Sequence, residues 1–225
     1  MSETIDRIRG LYAIADSGFC TSESLTALAR RFLEGGCRVV QLRMKGSGIG
    51  DQGSGNSLIR NVAREIMRFK GEFDFTFIVN DHVDVALAVG ADGVHVGEND
   101  EKVDSIRKRA PGLIVGFSSH SISEALAAEK AGADYVAFGA IFPTRTKGPG
   151  HPVQGLGRLK ELVQSLHVPV VAIGGIGREN IDNVLAAGPT AVAMISAISQ
   201  APDVAAETGW FVKRIENFLK RDPDF

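Results

Sequence analysis

The amino-acid sequence predicts an α/β protein folded as one (β/α)8 TIM barrel over residues 1–225. Short apolar runs alternate eight times with longer segments that have the 3.6-residue period of an amphipathic helix. The runs are almost continuously apolar, which is typical of parallel strands covered on both faces. The chain length also suits eight strand–helix units. An open, doubly wound sheet is the alternative, but its strands seldom number eight with such even spacing.

The elements follow in a regular order. A helix is expected at 22–36, a second at 57–70 and a third at 121–134. The third begins with Ser121 and has Glu124 three residues later, which is a capping-box pattern. The predicted strands are 11–16, 38–44, 75–80, 92–97, 113–119, 134–140, 169–175 and 190–196.

Composition narrows the class of function. The net charge is -2 and 44% of the residues are hydrophobic, which gives no support for a nucleic-acid or membrane-surface binder. Cys20 and Cys37 are the two cysteines, a number typical of a reduced compartment. The first ten residues include acidic ones and lack an apolar core, so no signal peptide is expected. We expect a cytoplasmic protein that acts on small molecules, with assembly into a homo-oligomer left open.

In such a barrel the chemistry lies at the carboxyl ends of the strands. The second strand ends in QLRMK, and its period of two places Gln41, Arg43 and Lys45 on the same side. Two cations and an amide facing one way suit a phosphorylated or anionic ligand. A solvated basic strand end is the alternative. The glycine-rich stretch 46–57 is expected to be a mobile loop, either a lid or a simple insertion.

Acidic residues follow the next two strands. Asn80 and Asp81 end the third strand, and Asp100 follows the fourth, which is its neighbour in a parallel barrel. Two carboxylates close together favour a hard divalent cation, above all Mg²⁺ held jointly with substrate phosphates. Helix capping is the alternative for each residue alone.

The fifth strand ends in SSH, which comprises Ser118, Ser119 and His120. His120 is either a general base or the start of a helix, and no aspartate or nucleophile visibly frames it. His95, inside the fourth strand, is expected to be a core residue or to support the site from behind.

The loops after the last three strands suggest a second anion site. PTRTK at 143–147 offers two threonine hydroxyls and the Lys147 ammonium. Glycines in IGGIG at 173–177 allow backbone N–H groups to approach an anion closely. The loops after strands 7 and 8 commonly bind phosphate in this fold. The expected walls of this site are Thr144, Thr146 and Lys147 on one side and Gly174, Gly175, Ile195 and Ser196 on the other.

Taken in order over about residues 10–200, QLRxK, ND, HVGxxD, PTxTK, AIGGI and MISAI resemble the motifs of the thiamine-phosphate synthase (thiamine-phosphate pyrophosphorylase) family. The resemblance implies condensation of hydroxymethylpyrimidine diphosphate with a thiazole phosphate, with Mg²⁺ as cofactor and release of pyrophosphate. It also implies residue roles. The pyrimidine diphosphate would be held by Gln41, Arg43, Lys45, Asn80, Ser118 and Lys147, with Arg43, Ser118 and Lys147 assisting catalysis. Mg²⁺ would be bound by Asp81 and Asp100, and the thiazole phosphate by Thr144, Thr146, Gly175, Ile195 and Ser196.

The sequence departs from the family pattern at Met44, where glutamate is common, and at Glu98-Asn99, where glutamine-glutamate is common. Three other functions stay open. A thiazole tautomerase on the same barrel would use His120 and need no metal. An isomerase or aldolase would use Lys45 or a carboxylate. A non-catalytic regulator would bind thiamine phosphate without releasing pyrophosphate.

Overall fold

The computed structural model describes residues 6–19, 24–45, 54–144 and 152–221. Two predicted site residues, Thr146 and Lys147, lie outside these ranges. So does most of the glycine-rich stretch 46–57.

Within the described residues, eight parallel strands pair in the order β1 to β8, and β8 pairs with β1 to close the barrel. The predicted (β/α)8 fold is therefore confirmed. Several strands are one or two residues shorter at each end than predicted, since predicted ends such as Asp92, Gly97 and Asp134 are polar or glycine positions outside the paired strand registers. The strands are β1 (Gly10–Asp16), β2 (Val39–Arg43), β3 (Thr76–Asn80), β4 (Gly93–Val96), β5 (Ile114–Ser119), β6 (Tyr135–Phe138), β7 (Val170–Ile173) and β8 (Ala191–Met194).

Helices surround the barrel. They are α1 (Leu25–Glu34), α2 (Ser54–Arg68), α3 (Val83–Val89), α4 (Val103–Arg109), α5 (Ile122–Lys130), α6 (Gly155–Ser165), α7 (Ile181–Leu185), α8 (Ser196–Ser199) and α9 (Val204–Arg221). The predicted cap of α5 is present: the Ser121 hydroxyl accepts from Glu124 N at 3.2 Å. The Glu124 carboxylate accepts from His120 N at 2.9 Å, one residue earlier than in a standard capping box. No helix in the described ranges is long and apolar enough to cross a membrane.

The strands separate two buried layers. Because successive side chains of a strand point to opposite faces, Leu11 and Ala13 pack outward under the helices while Tyr12 and Ile14 fill the barrel. Fully burying an aliphatic or aromatic side chain contributes about 1.5–3 kcal/mol. The inner layer also contains Val39, Ile78, Ile114, Tyr135, Ala137, Val171, Ala191 and Ala193. Side chains that continue this inward series at the carboxyl ends reach the barrel mouth.

Candidate active site

The mouth holds a cavity of about 260 Å³ at the carboxyl ends of the strands. Strands β2 to β5 and the segments that follow them supply most of its polar lining. Eight of the residues predicted for the site line it: Gln41, Arg43, Lys45, Asn80, Asp81, Asp100, Ser118 and Ile195. The structure thus brings together the described residues predicted at the ends of strands 2 to 5, and Ile195 from the second predicted anion site joins them.

The basic end of β2 is held by partners inside the barrel. Gln41 is buried and donates from Nε2 to the Tyr12 hydroxyl at 2.8 Å. Arg43 is ion-paired with Asp16, a carboxylate only 2% exposed. The alternative of a solvated strand end is therefore wrong for these two side chains. Asp16 was missed in the sequence, although it ends β1 in the inward series and could have been found by counting from Tyr12.

Asp81 lies beside both a cation and a second carboxylate. Lys45 Nζ is 2.8 Å from Asp81 Oδ2. Burial raises the pKa of the Asp81 carboxyl; Lys45 opposes this rise and Asp100 adds to it. The two aspartates are thus close enough to interact, as predicted.

Helix capping does not explain either aspartate. The N-cap of α3 is His82, which makes no side-chain cap hydrogen bond, and Asp81 precedes it with φ of 63°. Asp100 Oδ2 instead accepts from Gly97 N at 2.7 Å and so shapes the turn after β4. The backbone of Asp81 is held in a left-handed conformation that few residue types other than glycine adopt. A carboxylate is thereby directed into the mouth.

The donor set fits magnesium only in part. Within the described ranges no group of three or more His, Cys, Asp and Glu side chains could hold a metal ion. Asp81 and Asp100 supply two carboxylates. Mg²⁺ is usually bound by one or two carboxylates together with water and substrate phosphates, so this pair suits a cation that a phosphorylated ligand helps to hold.

A hydrogen-bonded chain crosses the floor of the mouth. Beyond Gln41 and Tyr12, the Tyr12 hydroxyl lies 2.8 Å from the Tyr135 hydroxyl. The Tyr135 hydroxyl is 3.0 Å from His95 Nδ1, and His95 Nε2 is 2.8 Å from Ser118 Oγ. The expectation that His95 is a core or supporting residue is consistent with these contacts. The two tyrosines were missed, because a tyrosine in an apolar strand looks like ordinary core.

Gly116 makes room for this chain. It pairs in register with His95 on one side and with Tyr135 on the other. A Cβ atom at Gly116 would lie 2.0 Å from Tyr135 Cζ, which no real contact allows. With glycine there, the His95 and Tyr135 rings stack at 28° with centroids 5.5 Å apart.

His120 also lines the mouth, at the entrance to α5. Its Nδ1 is 2.9 Å from the carbonyl oxygen of Gly139. Since a carbonyl only accepts hydrogen bonds, this ring nitrogen donates. His120 therefore lies one residue before the Ser121 N-cap and faces the cavity at the same time; its role as a general base stays a prediction.

The second predicted anion region is described only in part. Gly174 and Gly175 have φ of 101° and 67°. A Cβ at Gly175 would lie 2.6 Å from Pro143 O, and Gly174 O accepts from Phe142 N at 3.0 Å. These glycines thus dock the loop after β7 against the segment that leads into Thr144.

Asn180, which the sequence did not single out, ties the same loop down. Its side chain accepts from Gly177 N and donates to Gly175 O, both at 2.9 Å. Ile195 lines the mouth cavity, whereas the described part of its lining does not include Thr144, Gly175 or Ser196. Their role in phosphate binding stays a prediction.

A closed parallel barrel with converging amides, cations and carboxylates at the carboxyl ends of its strands is the arrangement of a (β/α)8-barrel enzyme. A family model described as thiamine monophosphate synthase matches residues 11–198. The chain therefore belongs to the thiamine-phosphate synthase family and is an enzyme of that kind.

Individual relatives agree with this assignment. Thiamine-phosphate synthase of Pyrococcus abyssi is 44% identical over 190 residues, which are 84% of this chain and 88% of the relative. That of Caldivirga maquilingensis is 40% identical over 205 residues, 91% and 96% of the two chains. The solved structure of thiamine phosphate pyrophosphorylase from Pyrococcus furiosus superposes with a TM-score of 0.84 at 37% identity, covering 96% of this chain and 98% of that one.

Proposed function

We propose that the enzyme condenses 4-amino-2-methyl-5-hydroxymethylpyrimidine diphosphate with a thiazole phosphate or its carboxylate, in a Mg²⁺-dependent dissociative displacement. The bond between the pyrimidine methylene carbon and the diphosphate oxygen breaks, and its electron pair leaves with pyrophosphate. The thiazole nitrogen then donates its lone pair to the methylene carbon, which forms the new C–N bond of thiamine phosphate. No protein nucleophile is required.

The charged side of the mouth suits the diphosphate. Arg43 presents a planar guanidinium that bonds well to phosphate oxygens, and Asp16 behind it fixes its direction. Lys45 supplies a point charge at the cavity edge, where its side chain is 49% exposed. These groups neutralise the charge that develops on the leaving pyrophosphate, which lowers the barrier to its departure. Lys147, outside the described residues, is proposed to act with them.

Asp81 and Asp100 are the proposed ligands of Mg²⁺. Bound there, the ion would offset negative charge on the diphosphate. The raised pKa of Asp81 supports this role, because burial and a neighbouring carboxylate disfavour its negative charge when no metal ion is bound. Lys45 offsets part of that cost in the metal-free protein.

Gln41 and Asn80 are proposed to orient the pyrimidine. Both are buried, at 3% and 7% exposure, and both line the cavity below the charged groups. Buried amides that face a cavity favour a ligand with matching donors and acceptors, because unpaired polar groups are costly there. An aminopyrimidine has such groups.

Thr144, Thr146, Gly175, Ile195 and Ser196 are proposed to surround the thiazole phosphate. The docking of Gly175 against Pro143 supports this, since it brings the two expected walls of the pocket to one place. Thr146→Ala is expected to raise KM for the thiazole phosphate several-fold and to leave KM for the pyrimidine diphosphate almost unchanged. The reverse ranking would mean that the two pockets are exchanged.

The observation that carries the proposal is the convergence of Arg43, Lys45, Asp81 and Asp100 on one cavity. The test is pyrophosphate release from purified protein with both substrates and Mg²⁺, with EDTA and single-substrate controls. Asp100→Asn should abolish release. Asp104→Asn, an exposed carboxylate on α4, is the matched control and should not. Pyrophosphate release that continues in the presence of EDTA would contradict the metal assignment. Absence of pyrophosphate release from folded wild-type protein would favour the thiazole tautomerase or the non-catalytic regulator.

A further inference from the structure

The hydrogen-bonded chain on the floor of the mouth joins side chains from five strands. It runs from Gln41 on β2 through Tyr12 on β1, Tyr135 on β6 and His95 on β4 to Ser118 on β5. All its links are between 2.8 and 3.0 Å. Its two tyrosines are at most 1% exposed, and only its Ser118 end is more than slightly open to the cavity.

Assigning one acceptor to each hydroxyl and ring hydrogen fixes the direction of donation along these hydrogen bonds. Gln41 donates to Tyr12, so the Tyr12 hydroxyl oxygen already accepts one bond. If Tyr12 donates to Tyr135, and Tyr135 donates to His95 Nδ1, each hydroxyl hydrogen has an acceptor. The neutral His95 ring then carries its hydrogen on Nε2 and donates to Ser118 Oγ. In the opposite direction Tyr12 would accept from both neighbours, and its own buried hydrogen would be left without an acceptor among the described contacts.

The direction decides what Ser118 offers a ligand. When Ser118 accepts from His95, its own hydrogen is available to the cavity and can be donated to an anion. In the reverse arrangement Ser118 donates to His95 and presents only lone pairs to the cavity, which repel phosphate oxygens.

We propose that Tyr135 is a positioning residue that fixes the Nε2–H tautomer of His95 and thereby keeps the Ser118 hydroxyl as a hydrogen-bond donor to the diphosphate. The proposal rests on the function proposed above in one respect, which is that the diphosphate lies beside Ser118. The hydrogen bonds from Gln41 to Ser118 do not depend on where the diphosphate binds. Tyr12 donates to the Tyr135 oxygen, so the Tyr135 hydrogen is left for His95 Nδ1 whether or not Tyr12 carries a hydroxyl.

Packing holds the arrangement in place. The stacked rings of His95 and Tyr135 occupy the space that Gly116 leaves open, so the tyrosine ring has little freedom to turn away. Burial also raises the pKa of both tyrosine hydroxyls well above the ordinary value, so both remain protonated at neutral pH. Each therefore has one hydrogen to give.

The tautomer can be measured directly by ¹⁵N NMR of histidine-labelled protein at pH 8, with the His95 signals assigned from a His95→Gln variant. The wild type should show His95 mainly as the Nε2–H form. Tyr135→Phe should lose this preference. Tyr12→Phe is the matched control and should retain it, because Tyr135 still has a hydrogen to donate to Nδ1. A wild-type ring with its hydrogen on Nδ1 would overturn the proposal.

Kinetics supply the second readout. Tyr135→Phe should lower kcat/KM for the pyrimidine diphosphate about three- to tenfold, the effect of one weakened hydrogen bond. In a Ser118→Ala background the same change should have almost no further effect, because both act through one hydroxyl. An equal loss in both backgrounds would reduce Tyr135 to a merely structural residue. If Ser118→Ala alone were silent while the tautomer is as stated, the diphosphate placement would be wrong instead.

Discussion

Replacing Asp81 separates its backbone role from its charge. With φ of 63°, residue 81 lies in the left-handed region, which asparagine tolerates and which costs alanine about 1–2 kcal/mol. Asp81→Asn removes the carboxylate and leaves the backbone conformation accessible. Asp81→Ala removes the carboxylate and adds the backbone cost. The difference between these two variants therefore isolates the strain at this position.

Removing the negative charge has the opposite effect on stability from adding the backbone cost: it stabilises the protein at neutral pH. Burial raises the pKa of Asp81 above its ordinary value of 3.8, so the folded state holds the proton more tightly than the unfolded chain. Its contribution to stability is full below pH 3.8 and is lost as the pH rises through the folded pKa. Asparagine resembles the protonated acid. At pH 7 we expect Asp81→Asn to be more stable than the wild type and about 1–2 kcal/mol more stable than Asp81→Ala.

The assay is thermal and urea unfolding of the three metal-free proteins between pH 3 and pH 7. For a chain of this size, 1–2 kcal/mol corresponds to about 2–8 °C in Tm between the two variants. The advantage of asparagine over wild type should disappear at the acid end. Equal stability of Asp81→Asn and Asp81→Ala would show that residue 81 carries no backbone strain. An Asp81→Asn variant less stable than the wild type at pH 7 would refute the argument from the raised pKa. Both variants should lose Mg²⁺-dependent turnover.

Other substitutions test other parts of the molecule. Asp16→Asn should destabilise the protein by about 2 kcal/mol and weaken diphosphate binding, since it leaves the Arg43 guanidinium without its buried counter-ion; urea unfolding and KM measure the two effects. Gly116→Ala should cost at least about 1–3 kcal/mol, because the added methyl group must displace the Tyr135 ring, and an unchanged Tm would contradict the close contact. Burial raises the pKa of the Cys37 thiol from 9.0 to about 11, so a stabilising contribution of about 3 kcal/mol should be lost between pH 9 and pH 11. The unfolding free energy of Cys37→Ala should lack that loss, and parallel pH curves for the two proteins would argue against it.

Much of the barrel and its mouth could be predicted, because both follow from periods in the sequence. The inward series on β2 gave Gln41, Arg43 and Lys45, and all three line the cavity. The proximity of Asp81 and Asp100 followed from the adjacency of β3 and β4. The two-residue period of a strand shows which side chains point inward even when their contacts on other strands are unknown.

What could not be predicted is which side chains meet across strands. Counting by two places Asp16 at the mouth, but its pairing with Arg43 depends on the register of β1 against β2, which the sequence does not state. Tyr12 and Tyr135 are 123 positions apart, and their hydroxyls meet only inside the closed barrel. Gly116 is likewise unremarkable in sequence, and its role depends on the ring that lies across it.

The pairing of β1 with β8 has a consequence for biosynthesis. Gly10 lies beside Ala191, so the first strand to leave the ribosome keeps an unpaired edge until the last strand has been made. Unpaired strand edges invite association with other chains, and contacts between distant residues form slowly. Nascent chains that stop before β8 should therefore be especially prone to aggregate and to engage chaperones. The emergence of β8 from the ribosome, rather than the formation of any early helix, would then mark the point at which the barrel has no unpaired strand edge.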